Sequence, residues 1–268
     1  MAYYWEEAIK FFTEKGVSRG LAITYIIVSL MLVVMAITAF VMWIVVMIKY
    51  FAGNRKETSN GKTGLQVARE MLDKAGLNHI QVKKANIFRA FIFGNCYSIT
   101  KKTVFLRGAI ANKKSLTSVG LALQKVGIAQ LCESGNKTAI TRNRLQILSL
   151  FGPILFLPIV LLGAVVDYLL FQVFGIFSII SIAISVLILF AGFFVTLLNI
   201  PVEKKANQMA LETMKRTGIL NEQEQKIVKD VFDAYIIAYI MDFIVSVLRI
   251  VQLVLEIVMN NQITKHNS

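Results

Sequence analysis

The stretch SVGLALQKVGIAQ, residues 118–130, predicts an amphipathic helix at the centre of the chain. Ser115 is a suitable N-cap for this helix, and Gly135 and Asn136 mark its end. The sequence on either side becomes apolar: residues 21–48 and 145–166 carry no charge at all. We therefore interpret the helix as the organising element of a domain lodged between membrane spans.

Long uncharged segments dominate the composition, since 56% of the 268 residues are hydrophobic. The uncharged runs cover residues 21–48, 145–166 and 168–202. A helix needs roughly 20 apolar residues to cross a bilayer, and each run exceeds that length. A fourth apolar run, residues 234–259, is interrupted by charges, and the sequence predicts about four transmembrane helices in all.

Charged residues inside predicted spans are candidates for function, because burying a charge in lipid is costly. Asp167, Asp242 and Arg249 are in this position. They could line a transport path, or they could form structural ion pairs between spans, for instance Asp167 with Arg249. So few charges over four spans favour packing over transport.

The distribution of positive charge predicts the topology. The net charge is +13, and residues 51–145 alone contain 17 Lys or Arg against 4 Asp or Glu, whereas residues 201–233 contain six of each sign. The positive-inside rule then places the main domain in the cytoplasm and both termini outside, in a multi-pass protein of the cell membrane. Membrane lipids are the expected partners of so basic a surface. Nucleic acid is not expected, because the Lys residues are dispersed and no RNA-binding signature is present.

Between the first two spans the sequence predicts a small α+β domain. Thr63 can cap a helix over residues 64–75. Short strand signals follow, with a hairpin turn at Lys101 and Lys102, over residues 79–83, 90–93, 96–99 and 103–106.

Further helices are predicted at both ends of the chain. Residues 1–20 resemble a short amphipathic helix at the outer interface. Pro201 is expected to open a helix over residues 202–216, and Asn221 with Glu224 forms a capping box for a last long helix.

The order of these parts resembles the YugP-type membrane zinc metallopeptidases over residues 49–255. Residues 60–77 are similar to that family's SGLTGAEVARRILDRNGL opening, and residues 95–106 to its DHYDP…KTVRLS hairpin. Residues 120–130 are similar to its AAHEVGHAIQ helix, which contains the HExxH motif, and residues 200–206 to its LPVEFDAS segment.

The resemblance implies that a zinc site is missing. In the family the two His of HExxH and a downstream Glu bind zinc, and the motif Glu is the general base. The His positions are Gln124 and Ile128 here, the base position is Lys125, and only Glu203 keeps its type. We therefore expect a pseudoenzyme with no metal and no cofactor.

Two alternatives concern Glu203. Lys125 or Gln124 could satisfy its carboxylate in place of zinc, because a semi-buried Glu needs a partner. Alternatively, Glu203 simply favours the positive end of a helix that begins there. A rebuilt metal site from Cys96, Cys132 and Glu203 is a less favoured possibility.

The sequence thus predicts a membrane α-helical protein with a small cytoplasmic α+β zincin-like domain, which acts as a structural or regulatory subunit with another membrane protein or with itself. The rivals are an active zinc metallopeptidase with an unorthodox site and a transport or channel component. The predicted order is an amphipathic segment (1–20), a first span (21–50), the metallopeptidase-like domain (51–144), a transmembrane hairpin (145–200), cytoplasmic helices (201–233), a fourth span (234–259) and a tail (260–268).

Overall fold

A computed structural model of the chain describes residues 2–171 and 175–267; the side chains of residues 2, 147–154, 156, 157, 189 and 267 are outside that description. The elements are, in chain order, α1 (Ala2–Thr13), α2 (Arg19–Asn54), α3 (Gly64–Lys74), β1 (Gln81–Lys84), α4 (Ile87–Phe93), β2 (Cys96–Ser98), β3 (Thr103–Leu106), α5 (Gly108–Ala111), α6 (Leu116–Glu133), α7 (Lys137–Phe171), α8 (Ile176–Thr217) and α9 (Glu222–Asn267). Residues 172–174, within the predicted transmembrane hairpin (145–200), lie outside the described residues.

Within the described residues, three helices are long and apolar enough to cross a membrane, namely α2, α8 and α9. A shorter apolar helical segment, Pro158–Phe171, forms the end of α7. These helices support a membrane protein, while the count of four spans stays a prediction.

The chain forms two compact units. The first consists of the residues up to Val45 together with those from Ile240 onward, and the second is Val46–Tyr239. In the first unit α1 is joined to the start of α2, where the Arg19 guanidinium binds Glu6 at 2.9 Å. The hydroxyl of Tyr25 donates to Glu256 at 3.0 Å, which ties α2 to α9.

The second unit contains the α+β part and the α7–α8 hairpin. Its sheet has the order β1-β3-β2, with β1 parallel and β2 antiparallel to β3. The predicted caps are confirmed: Thr63 forms a capping box with Gln66, and Ser115 accepts the Ser118 N–H. Asn221 and Glu224 also bond reciprocally, at 2.8 and 2.9 Å.

Three local predictions are wrong. Residues 90–93 belong to helix α4, because Asn86 accepts the Arg89 N–H at 2.8 Å and caps a helical turn there. Pro201 does not open a helix; α8 continues through it, since proline removes only one backbone donor from a long helical ladder. Helix α6 is not amphipathic, because every residue except Gln130 and Glu133 is buried.

The hydrophobic core surrounds α6, which packs against α3, against α8 and against the sheet. Two glycines allow neighbouring helices to approach closely. A Cβ at Gly120 would lie 2.5 Å from Val228 Cγ1 of α9, and a Cβ at Gly127 would lie 2.9 Å from the Ala206 carbonyl oxygen of α8. At the end of α6, Glu133 binds Lys102 at 2.7 Å and His79 at 3.2 Å, so the helix is also tied to the sheet.

Candidate functional site

The helices α6, α7 and α8 bring a cluster of polar side chains into the protein interior. Asn199, Glu203 and Asn207 are spaced four residues apart on α8 and therefore lie on one face of that helix. Gln124 and Lys125 of α6 and Arg142 of α7 contact these residues. The absence of a side chain at Gly127 lets α6 approach α8 closely, so that the polar groups of the two helices can meet.

Glu203 lies at the centre of the cluster and is fully buried. Its two carboxylate oxygens each lie 3.3 Å from the Lys125 ammonium. The Arg142 guanidinium donates to Glu203 Oε1 at 2.7 Å and, through its Nε, to Asn199 Oδ1 at 2.6 Å. One carboxylate is therefore shared by two buried cations, and the cluster carries a net charge of +1.

Gln124 has a different partner from the one the sequence analysis considered. Its amide donates to Asn207 Oδ1 at 2.6 Å, and both side chains are buried. Ile128 is fully buried and packs in the hydrophobic core.

The electrostatics of the cluster are set by its burial. Burial lowers the pKa of the Lys125 ammonium, the Arg142 charge acts in the same direction, and Glu203 opposes both. A carboxylate held by two cations is a weak base, because protonating it would break both pairs. The arrangement is therefore suited to holding three helices together and poorly suited to activating water.

These residues do not fit a zinc ion. Zinc is held by imidazole, thiolate and carboxylate groups, whereas the motif positions supply an amide, an ammonium and an alkyl group. The ammonium of Lys125 lies against the one remaining carboxylate. Across residues 2–171 and 175–267, no three His, Cys, Asp or Glu side chains are grouped to hold a metal ion, which is against a site built from Cys96, Cys132 and Glu203.

A cavity of about 220 Å³ lies beside the cluster and reaches Gln124 and Lys125. Its other walls include Arg107 after β3, and Tyr235 and Tyr239 of α9. Among the described residues that line it, the charged ones are Arg107 and Lys125, and none is acidic.

The charges predicted inside spans occupy separate places. Asp167 is fully buried, and its carboxylate accepts backbone N–H groups of Gly175, Phe177 and Ser178 at 2.8, 3.2 and 2.6 Å. It therefore caps the start of α8, where the helix dipole favours negative charge. Asp242 and Arg249 are exposed on α9 in the first unit.

Sequence reasoning missed Arg142, Asn199 and Asn207. The four-residue spacing of Asn199, Glu203 and Asn207 was the available signal, because residues at i, i+4 and i+8 of a helix share one face.

Comparison with known proteins identifies the family to which the chain is similar. Residues 24–258 match the family described as "Putative neutral zinc metallopeptidase". The chain is 24% identical over 206 residues to the "Putative membrane protease YugP" of Bacillus subtilis (strain 168), a match that covers 75% of this chain and 84% of that protein. No solved structure shows significant similarity to the chain. The matched residues include nearly the whole chain, and it therefore belongs to this family of zinc metallopeptidase-like membrane proteins.

Proposed function

We propose that this chain is a catalytically inactive member of its family, in which a buried ion-pair cluster has replaced the metal. The observation that carries the proposal is the contact of Lys125 and Arg142 with Glu203, at 3.3 and 2.7 Å. A cation at the general-base position both removes the base and repels a metal ion.

In this proposal the protein is a structural or regulatory subunit. The α+β part lies in the cytoplasm, both termini lie outside, and the partner is another membrane protein or a second copy of the chain. Lipids surround the protein, and nucleic acid is not a partner. The basic charge of residues 51–145 supports this orientation.

Catalysis is tested with purified full-length protein. We expect no stoichiometric zinc by elemental analysis and no cleavage of an unfolded protein substrate. The matched control is the triple variant Gln124→His, Lys125→Glu and Ile128→His, which restores the motif and should gain zinc. Bound zinc together with chelator-sensitive cleavage by the unmodified chain would overturn the proposal in favour of an active peptidase.

The subunit role is tested by native mass spectrometry of complexes extracted from the protein's own membranes. A second protein at fixed stoichiometry, or a defined homo-oligomer, is the expected result. A monomer alone would contradict the role. Ion or solute flux in liposomes that is lost in Asp242→Asn would instead favour a transport component.

A further inference from the structure

Helix α4 presents its apolar side chains outward and its charged side chain inward. Ile87, Phe88 and Phe91 are 91%, 74% and 85% exposed, and they share one face of the helix. Arg89, the single charged residue of α4, turns towards the sheet, with its guanidinium 3.7 Å from the centre of the Phe105 ring. This is the reverse of the pattern that a helix facing water adopts.

Basic residues border the exposed apolar face. Lys84, at the end of β1, lines a depression of about 600 Å³ together with Ile87 and Phe88. Arg107 contacts the same helix, since its Nε donates to the Ala90 carbonyl at 2.9 Å. Aromatic side chains flanked by Lys and Arg are the composition of a surface that rests on anionic lipid headgroups.

The position of α4 in the second unit points to the same partner. Phe93, the last residue of α4, lines the 220 Å³ cavity with Tyr235 and Tyr239 of α9. The apolar run of α9 follows these tyrosines directly in the sequence. Tyr is enriched at the membrane–water interface, so Tyr235 and Tyr239 favour an interfacial position for this side of the second unit.

We propose that α4 is an interfacial anchor: its Ile87, Phe88 and Phe91 face inserts into the anionic leaflet next to the α+β part, with Lys84 and Arg107 on lipid phosphates. The anchor holds the cavity over Gln124 and Lys125 against the headgroup region. It is independent of whether the protein is an enzyme, because it uses none of the cluster residues.

The test uses full-length protein in phosphatidylcholine vesicles with and without phosphatidylglycerol. A spin label is placed on a Phe91→Cys variant, and collisions with oxygen, which concentrates in lipid, are compared with collisions with a water-soluble nickel chelate. The control is Asn78→Cys, an exposed position before β1 and therefore at the opposite end of the sheet from α4. The native Cys96 and Cys132 are buried, and unmodified protein gives the labelling background.

We expect the label at Phe91 to collide several-fold more with oxygen and several-fold less with the chelate than the label at Asn78. Changing Lys84→Gln should lower the ratio of inserted to non-inserted α4 about fivefold in vesicles that contain phosphatidylglycerol, from about 1 kcal/mol per basic residue at the surface. It should have little effect in pure phosphatidylcholine.

Two results would overturn the proposal. Equal collision ratios at Phe91 and Asn78 would place α4 in water. Low collision rates at Phe91 with both reagents would mean that a protein, either a second copy or a partner, covers this face.

Discussion

Replacing Glu203 by Gln should destabilise the protein far more than replacing Lys125 by Met. The two substitutions break the same contact, in which each Glu203 oxygen lies 3.3 Å from the Lys125 nitrogen. They differ in the charged groups that remain buried after the substitution. Glu203→Gln leaves two buried cations without a carboxylate, whereas Lys125→Met leaves the Arg142–Glu203 pair at 2.7 Å intact.

Coulomb's law gives the magnitude. At an effective dielectric constant of about 20, the Lys125–Glu203 contact is worth about 5 kcal/mol and the Arg142–Glu203 contact about 6 kcal/mol. Both cations bind the same oxygen, so their nitrogens are at most about 6 Å apart and repel by at least about 3 kcal/mol. The net attraction of Lys125 is thus about 2 kcal/mol, which does not exceed the several kcal/mol needed to desolvate an ammonium group.

The measurement is the melting temperature of full-length protein in a mild detergent. Glu203→Gln should cost about 3–5 kcal/mol, or roughly 6–20 °C. Lys125→Met should melt at or above the wild-type temperature. The double variant Glu203→Gln/Lys125→Met should recover part of the loss, because Arg142 is then the one cation of the pair that stays buried without a carboxylate. The exposed pair Lys229–Asp233 supplies the control, since Lys229→Met should leave the melting temperature nearly unchanged.

An equal loss in both single variants, with an additive double variant, would refute this reasoning. The pH dependence gives a second check. Because burial lowers the Lys125 pKa below its ordinary value of 10.5, the unfolded chain binds this proton more tightly. The stability of the wild type relative to Lys125→Met should therefore increase as the pH rises towards 10.5.

Three further outcomes are expected. Gly127→Ala should lower the melting temperature, by about 1–3 kcal/mol in stability, because its Cβ would lie 2.9 Å from the Ala206 carbonyl oxygen and force α6 and α8 apart. Glu133→Gln should cost about 1–2 kcal/mol at neutral pH, since Lys102 binds both carboxylate oxygens, at 2.7 and 2.8 Å. Cys132 should react with thiol reagents at pH 8 at least about a hundredfold more slowly than an exposed cysteine, because burial raises its pKa to about 11.

Each of these outcomes has its own control. Gly135→Ala is the comparison for substitution at a glycine with open space around it, although its positive φ adds strain. The Cys132 rate is compared with that of Asn78→Cys, and equal rates would contradict the burial argument.

Burial opposes the ionised form of Glu133, but hydrogen bonds from Lys102, Tyr97 and His79 outweigh it and lower the pKa below 4.5. The stability that Glu133 contributes is therefore complete above pH 4.5 and lost as the pH falls below it, and a wild-type advantage that persists in acid would exclude this network.

Local signals in the sequence determined much of the fold. Caps act over a few residues, so Thr63, Ser115 and the Asn221–Glu224 pair predicted three helix starts correctly. The apolar runs of α2, α8 and α9 are also local, since a bilayer requires only length and composition. The family resemblance predicted that positions 124, 125, 128 and 203 correspond to the metal-site motif, which no general principle of helix formation would have done.

Tertiary structure decided everything that depends on which faces meet. The sequence could not show that α6 is buried all round, because several helices and a sheet from other parts of the chain cover it. It could not assign Arg142 to Glu203, since that pair joins residues 61 positions apart on different helices. Nor could it show that α4 turns Arg89 inward and its apolar residues outward, because the Phe105 ring that attracts the guanidinium lies on a neighbouring strand. Residue types set which groups must find partners, and packing alone selects the partner.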